Sequence, residues 1–235
     1  MRPADLLFSQ GFGTRRECAA LVAGGALEVE GMGVVDGFER ELDVAGELWY
    51  RVRGGERWPY REHALIVLNK PAGYECSLKP RHHPSVYSLL PTPLRQRGVQ
   101  AIGRLDEDTT GVLLLTDDGQ LVHRLTSPKR HVEKVYQVRC KHPVDPSQVE
   151  RLLAGVLLHD DDATVRAAAC EATGANELRL TLTEGKYHQV KRMVAAVGNR
   201  VEALERSAFG PIGIDGLAAG AWRWADAAVD FPIAR

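Results

Sequence analysis

Strand-like and helix-like segments follow one another along residues 61–235 without a repeating βαβ rhythm, and that irregularity restricts the fold more than any other feature of the chain. A doubly wound parallel sheet needs a helix after nearly every strand. This order instead predicts an α+β architecture, a mainly antiparallel mixed sheet with flanking helices. Ala64–Leu68, Val99–Ile102, Val112–Thr116, Val132–Cys140, Glu177–Thr183 and Arg200–Leu204 read as strands. Helices fit Gln120–Leu125, Ser147–Ala154 and His188–Val197, the last because Val190, Met193, Val194 and Val197 recur at i, i+3, i+4 and i+7. Apolar runs such as Ala64–Leu68 and Val112–Leu115 fall far short of the ~20 residues of a membrane span, and Met1–Gly13 lacks the apolar core of a signal peptide. The expected location is the cytoplasm, with no membrane partner.

The first 60 residues have a different texture. Leu6, Leu7 and Phe8 lie on a short helical pattern that Gly11-Phe12-Gly13 breaks. Thr14-Arg15-Arg16-Glu17 then has capping-box spacing, in which hydroxyl and carboxylate satisfy each other's free backbone N–H groups, and Gly24-Gly25 supplies a stop. Ala26–Glu30 alternates as a strand, and Gly46–His63 reads as a strand followed by a polar linker. These signals predict a small domain over residues 1–60 and a larger one over 61–235.

Charge narrows the partners only when resolved along the chain. Thirty Lys and Arg stand against 31 Asp and Glu, so the bulk charge favours no ligand class. Residues 1–60 hold 7 basic and 10 acidic side chains, whereas Lys79–Arg104 carries five basic residues and no acid, and Gly119–Lys141 six basic residues against Glu133 alone. If those stretches meet in space, they form a surface that tracks phosphates. Cys18, Cys76, Cys140 and Cys170 stand far apart with no C-x-x-C pair, which argues against a zinc site or a disulfide framework and for a reducing compartment. His82-His83 has no carboxylate or cysteine at ligand spacing, so no metal is expected there. Asp160-Asp161-Asp162 reads as a solvated turn.

The most informative stretch runs from Gly103 to Gly119. Arg104–Thr110 lies between two apolar strands and so forms a loop at strand ends, where functional groups concentrate. Locally, Asp106, Glu107 and Asp108 read as acidic turn residues, and Asp117-Asp118-Gly119 as a turn opening a helix. A chemical alternative pairs Asp106 with Asp108 for glycoside hydrolysis, although Trp49, Trp58, Trp222 and Trp224 all lie away from that loop in sequence. On Val132–Cys140, Lys134 and Tyr136 are two apart and project from one face.

Gly103-Arg104-Leu105-Asp106 followed by Asp108-Thr109-Thr110-Gly111 and a leucine strand resembles the G-R-L-D-x-D-T-x-G signature of pseudouridine synthases. The likeness continues in Asn69-Lys70-Pro71-Ala72-Gly73-Tyr74, in Glu133-Lys134-Val135-Tyr136 and in Glu184–Met193. Order and spacing resemble the branch that modifies ribosomal RNA and carries an S4-like domain at its N-terminus. The resemblance implies Asp106 as nucleophile, Lys191 as the cation that keeps it charged with Arg192 as local competitor, and Tyr136 as the ring that stacks on the target uracil. It also implies RNA contacts for Arg104, Lys134 and His188, with Arg192 among the same basic set, and for Arg15 and Arg16 at a helix start of the S4-like segment. Against these stand Glu28, Glu30 and the acidic excess of residues 1–60.

Moving the sugar from N1 to C5 of uracil involves no redox change and no net hydrolysis, so neither metal nor organic cofactor is required; a carboxylate with an ordinary pKa of ~3.9 is ionised at pH 7 and ready to act. Tyr187-His188-Gln189 before Val190-Lys191-Arg192-Met193, with Leu157-Leu158-His159-Asp160, resembles the small-subunit (16S) enzymes of that branch. Large-subunit (23S) specificity and a non-catalytic RNA-binding assembly protein are the alternatives. The implied partner is ribosomal RNA or a partly assembled subunit, acted on by a monomer.

Overall fold

The computed structural model describes residues 1–37, 39–158, 164–226 and 231. The chain divides into two compact units, Met1–Ala64 with Leu90–Val99, and Leu65–Leu89 with Gln100–Arg235. No helix among the described residues is long and apolar enough to cross a membrane.

In the first unit, α1 (Pro3–Ser9) starts on a proline whose missing N–H costs nothing at a helix start. The expected capping box opens α2 (Arg15–Ala23): Thr14 Oγ1 accepts from the Glu17 N–H at 3.3 Å and Glu17 Oε2 from the Thr14 N–H at 2.7 Å. The strands β1 (Leu27–Val29), β2 (Gly33–Val35), β3 (Trp49–Val52) and β4 (Trp58–Pro59) form an antiparallel sheet in the order β2-β1-β3-β4. Leu6, Leu7, Cys18, Val22, Leu27 and Tyr50 are fully buried, and Phe12 meets Tyr50 and Trp58 edge-on. The segment read from sequence as a strand and linker thus contributes two sheet strands.

The second unit begins with β5 (Leu65–Lys70), buried on both faces almost throughout, as befits an interior strand. Then come β6 (Gln100–Ala101), reached after α3 (Thr92–Gln96) of the first unit, β7 (Thr110–Thr116), α4 (Gly119–Thr126) and β8 (Lys134–Cys140). The chain continues through α5 (Pro146–Ala154), β9 (Val156–Leu157), β10 (Thr164–Val165), β11 (Ala169–Gly174), β12 (Glu177–Leu182), α6 (Gln189–Ala196), β13 (Val201–Phe209), β14 (Ile212–Gly213) and β15 (Trp222–Trp224). The main sheet runs β11-β12-β8-β13-β7-β5-β15, with β6 beside β7 and β14 beside β13. Among the described residues β7 and β13 are its only parallel neighbours. The mixed, mostly antiparallel sheet agrees with the sequence reading.

Local chemistry explains the helix positions. Asp118 Oδ1 accepts from the N–H groups of Gln120 and Leu121 at 2.8 and 3.1 Å, so the Asp117-Asp118-Gly119 turn caps α4. α4 presses Leu121 and Leu125 into a core with Val67, Ile102, Val112, Leu114 and Phe209, and α6 buries Val190, Met193 and Val194. The expected turn at Asp160–Asp162, and His159 with it, lies outside the described residues.

The parallel pair dictates one residue type. Gly111 adopts φ +102° directly against the backbone of Arg206, where a Cβ would overlap the Arg206 carbonyl. Gly111→Ala should therefore lower stability by about 2–4 kcal/mol through strain and overlap together. A urea denaturation midpoint equal to that of the parent chain would show that the strands are not so closely apposed.

Candidate active site

The loop between β6 and β7 lies at strand ends, where its backbone groups are not satisfied by strand pairing, so something else must hold it. That group is Lys70, at the end of β5. Its side chain is fully buried, and Nζ donates to the carbonyls of Pro71, Glu107 and Thr109 at 3.1, 3.0 and 2.8 Å. Burial pulls the Lys70 pKa below the ordinary lysine value, while Cys76 and the loop acids work the other way. The Gly73 N–H adds a bond to the Glu107 carbonyl at 2.8 Å, the Thr109 N–H one to the Asp106 carbonyl at 3.1 Å, and Cys76 Sγ accepts from the Leu105 N–H at 3.5 Å.

With its backbone held this way, Asp106 sends its carboxylate toward α6. Oδ2 lies 3.0 Å from Lys191 Nζ and Oδ1 3.2 Å from His188 Nε2; about a quarter of the Asp106 side chain remains exposed. Lys191 also grips Asp108, at 2.6 and 2.9 Å from its two carboxylate oxygens. Burial is the largest single influence on both Lys191 and Asp108 and disfavours their charge, but hydrogen bonds and charge attraction within the Asp106–Lys191–Asp108 cluster together outweigh it. The Lys191 pKa is held above the ordinary lysine value and that of Asp108 below the ordinary carboxylate value. One ammonium therefore serves two carboxylates and stays charged at neutral pH.

His188 reaches Asp106 through an uncommon backbone. It is the residue before α6, at φ 47°, a left-handed conformation that a non-glycine residue holds only when its surroundings enforce it. The enforcement is visible: Gln189 Oε1 accepts from the Lys186 N–H at 2.8 Å, Gln189 Nε2 donates to Glu184 at 2.7 Å, and the His188 ring stacks on Tyr187 with centroids 3.7 Å apart.

A cavity of about 200 Å³ opens beside this cluster. Its lining includes Arg104 and Asp106 from the loop, Lys134 and Tyr136 from β8, and His188 and Lys191 from the α6 turn. Tyr136 is 9% exposed, with Arg206 of β13 directly opposite it, and Lys134 is opposite Phe209. Lys134 Nζ donates to the Val132 carbonyl at 2.8 Å; burial first, then the nearby Arg206, pulls its pKa down. The cations around the cavity outnumber its acids, an environment suited to an anionic polymer.

Among the expected residues of this unit, Arg192 is not in the lining and donates to the Tyr187 carbonyl at 3.3 Å. Within the first unit, Arg15 and Arg16 are exposed on α2, Arg15 over the Phe8 ring and 3.1 Å from Asp5. Asp106 and Asp108 do not stand as a lone acid pair, since Lys191 sits between them. Sequence reasoning missed Arg206, which is 2% exposed. Its signal was a charged residue at the buried phase of an alternating strand, Leu204, Arg206, then Phe209 after a one-residue bulge. Lys70 stood inside a recognised motif without a role.

Residues 64–196 match the family model described as RNA pseudouridylate synthase. The chain belongs to that family and is a pseudouridine synthase, an enzyme that isomerises uridine in RNA. Among its relatives, Ribosomal small subunit pseudouridine synthase A of Escherichia coli (strain K12) is 47% identical over 159 residues, 67% of this chain and 68% of that protein. The uncharacterized RNA pseudouridine synthase YtzG of Bacillus subtilis (strain 168) is 40% identical over 229 residues, 95% of this chain and 94% of that one. A crystal structure of a pseudouridylate synthase, 32% identical, superposes with a TM-score of 0.68 and covers 97% of both chains.

Lys70→Met removes the ammonium that donates to the Thr109 carbonyl and should cost about 2–4 kcal/mol. The loss should come with faster hydrogen exchange at the Gly73 and Thr109 amides. Unchanged exchange at both would mean that the ammonium is not what fixes the loop.

Proposed function

We propose that this enzyme acts on a uridine of small-subunit ribosomal RNA, turned out of its stack into the cavity, with Asp106 as nucleophile. The observation that carries the reading is the Asp106 carboxylate, held between Lys191 and His188 at a cavity that Tyr136 also lines. The relatives named as small-subunit pseudouridine synthases support the choice of RNA. A base inside a duplex offers no access to its glycosidic bond, so an enzyme working there takes the nucleotide out of the helix and receives the ring on an aromatic face.

The reaction balances without an outside reagent. The C1′–N1 pair leaves with N1 as an Asp106 oxygen bonds to C1′. The freed uracil turns, C5 supplies the pair for a new bond to C1′, and Asp106 departs as carboxylate. A proton leaves C5 and one is taken up at N1. Tyr136 packs against the base during the turn, Arg104 at the exposed rim holds the RNA backbone, and Lys134 and His188 lie along the same path. Lys191 keeps Asp106 charged where desolvation by bound RNA would otherwise favour its protonation.

Residues 1–60 serve as an S4-like docking element in this reading, and residues 61–235 as the catalyst. The two-helix arrangement with a small antiparallel sheet and the exposed Arg15 and Arg16 at the α2 start support that role.

Mapping pseudouridines across both ribosomal RNAs, in cells with and without the protein, should reveal a position in the small-subunit RNA that depends on it. Asp106→Asn should abolish that modification, lowering the rate on purified RNA by about 10³-fold or more with affinity within a few-fold. Near-normal turnover would remove Asp106 from the nucleophile's role. Separately, Arg15→Glu with Arg16→Glu should weaken binding to large RNA by roughly tenfold and reduce the salt dependence of binding by about two ion contacts. Equal affinity and slope would assign docking to another surface.

A further inference from the structure

We propose that Arg206, with Lys134 beside it, is the cationic receptor that holds the uracil ring while it is detached from the sugar. This inference rests on the reaction set out above and identifies a further catalytic residue for it.

Arg206 is a charged group in a place where charge is costly. It is 2% exposed, and its Nε donates to the Val112 carbonyl at 2.8 Å. Nη2 is buried with no hydrogen-bond acceptor, and among the described residues Arg206 makes no ion pair. The Phe209 ring, 5.2 Å from its Cζ, gives partial compensation. Buried guanidinium groups are ordinarily paired with a carboxylate, and a buried donor left without a partner calls for an explanation. The place of Arg206 in the molecule supplies one: it lines the same cavity as Asp106 and stands opposite Tyr136 in the strand register. Lys134 is the second cation there, 5.4 Å from the centroid of the same Phe209 ring.

The chemistry identifies the guest. When the C1′–N1 bond breaks, its electron pair stays with the base, and the resulting uracil anion spreads its charge over O2 and O4. C1′ is at that moment bonded to the Asp106 oxygen, so the negative charge has moved from the carboxylate to the ring. A fixed guanidinium in a desolvated cavity stabilises charge that exists only at this stage, which is how a preorganised donor lowers a barrier. Once C5 has bonded to C1′, Asp106 is again anionic, the ring is neutral after losing the C5 proton and gaining one at N1, and the attraction to Arg206 relaxes. A phosphate is the less suitable occupant. It stays with the backbone at the cavity mouth, near the exposed Arg104, whereas the base enters deepest.

The test compares two leaving groups. The target position in a small-subunit RNA fragment is made as uridine or as 5-fluorouridine, whose electron-withdrawing fluorine stabilises the departing anion. Single-turnover consumption is then followed for the parent enzyme and for Arg206→Gln. The expected result is a loss in rate of about 10²-fold or more on uridine with KM within a few-fold, shrinking by at least tenfold on 5-fluorouridine. Arg206→Lys should retain most of the rate on both. A loss of equal size on the two substrates would mean that Arg206 only supports the Val112 carbonyl, and would overturn the proposal. Should Arg206→Gln fail to fold, Lys134→Gln undergoes the same comparison: a loss that depends on the leaving group supports the receptor, and a uniform loss overturns it. Parent enzyme that turns over no ribosomal uridine would instead overturn the function proposed above, an outcome distinct from either result with the variants.

Discussion

The site depends first on one buried ammonium. Lys70 binds three carbonyls, two of them in the loop that carries Asp106, and no carboxylate lies among its hydrogen-bond partners. The arrangement solves a geometric problem. A loop at the end of strands has few backbone partners of its own, yet a nucleophile must be held to a fraction of an ångström. By gathering the carbonyls from beneath, Lys70 fixes the backbone and leaves the Asp106 side chain free to face the cavity. β5, one of the most thoroughly buried strands, anchors the ammonium in turn.

Above that foundation the electrostatics are shared. Lys191 bonds to both Asp106 and Asp108, and His188 approaches Asp106 from the other side, so one ammonium is shared between two acids. Elsewhere in the cavity lining, Lys134 and Arg206 both lie near the Phe209 ring, with Glu184 the acid among the lining residues there. Negative charge is thus concentrated at the loop and positive charge at the sheet. A reaction that moves an electron pair from one wall toward the other is well matched to that polarity.

The parts of this fold that were legible in sequence are those where periodicity or a cap has a local cause. α6 announces itself by Val190, Met193 and Val194 on one face, and α2 by the reciprocal Thr14 and Glu17 bonds. β13 was read only to Leu204 because Glu205, Arg206 and Ser207 interrupt the apolar alternation; the strand continues to Phe209 because Arg206 occupies an inward position that sequence reasoning reserves for apolar residues. β15 carries two tryptophans but no alternation long enough to read. The Asp106, Tyr136 and Lys191 set came from motif resemblance rather than from periodicity. Lys70 as a clamp has no local signature, since its partners Glu107 and Thr109 are distant in the chain, and the left-handed backbone at His188 rests on side-chain bonds of Gln189 that no periodicity announces.

The order of strands in the main sheet also bears on how the enzyme comes into being. β13 lies between β8 and β7, so β11, β12 and β8 on one side and β7 and β5 on the other are joined through a strand that follows all of them in the chain. During synthesis the nucleophile leaves the ribosome long before Lys191 and Arg206, and the two half-sheets wait for β13 to unite them. A nascent polypeptide therefore carries its reactive carboxylate without the rest of the machinery, and competence waits for β13 to emerge.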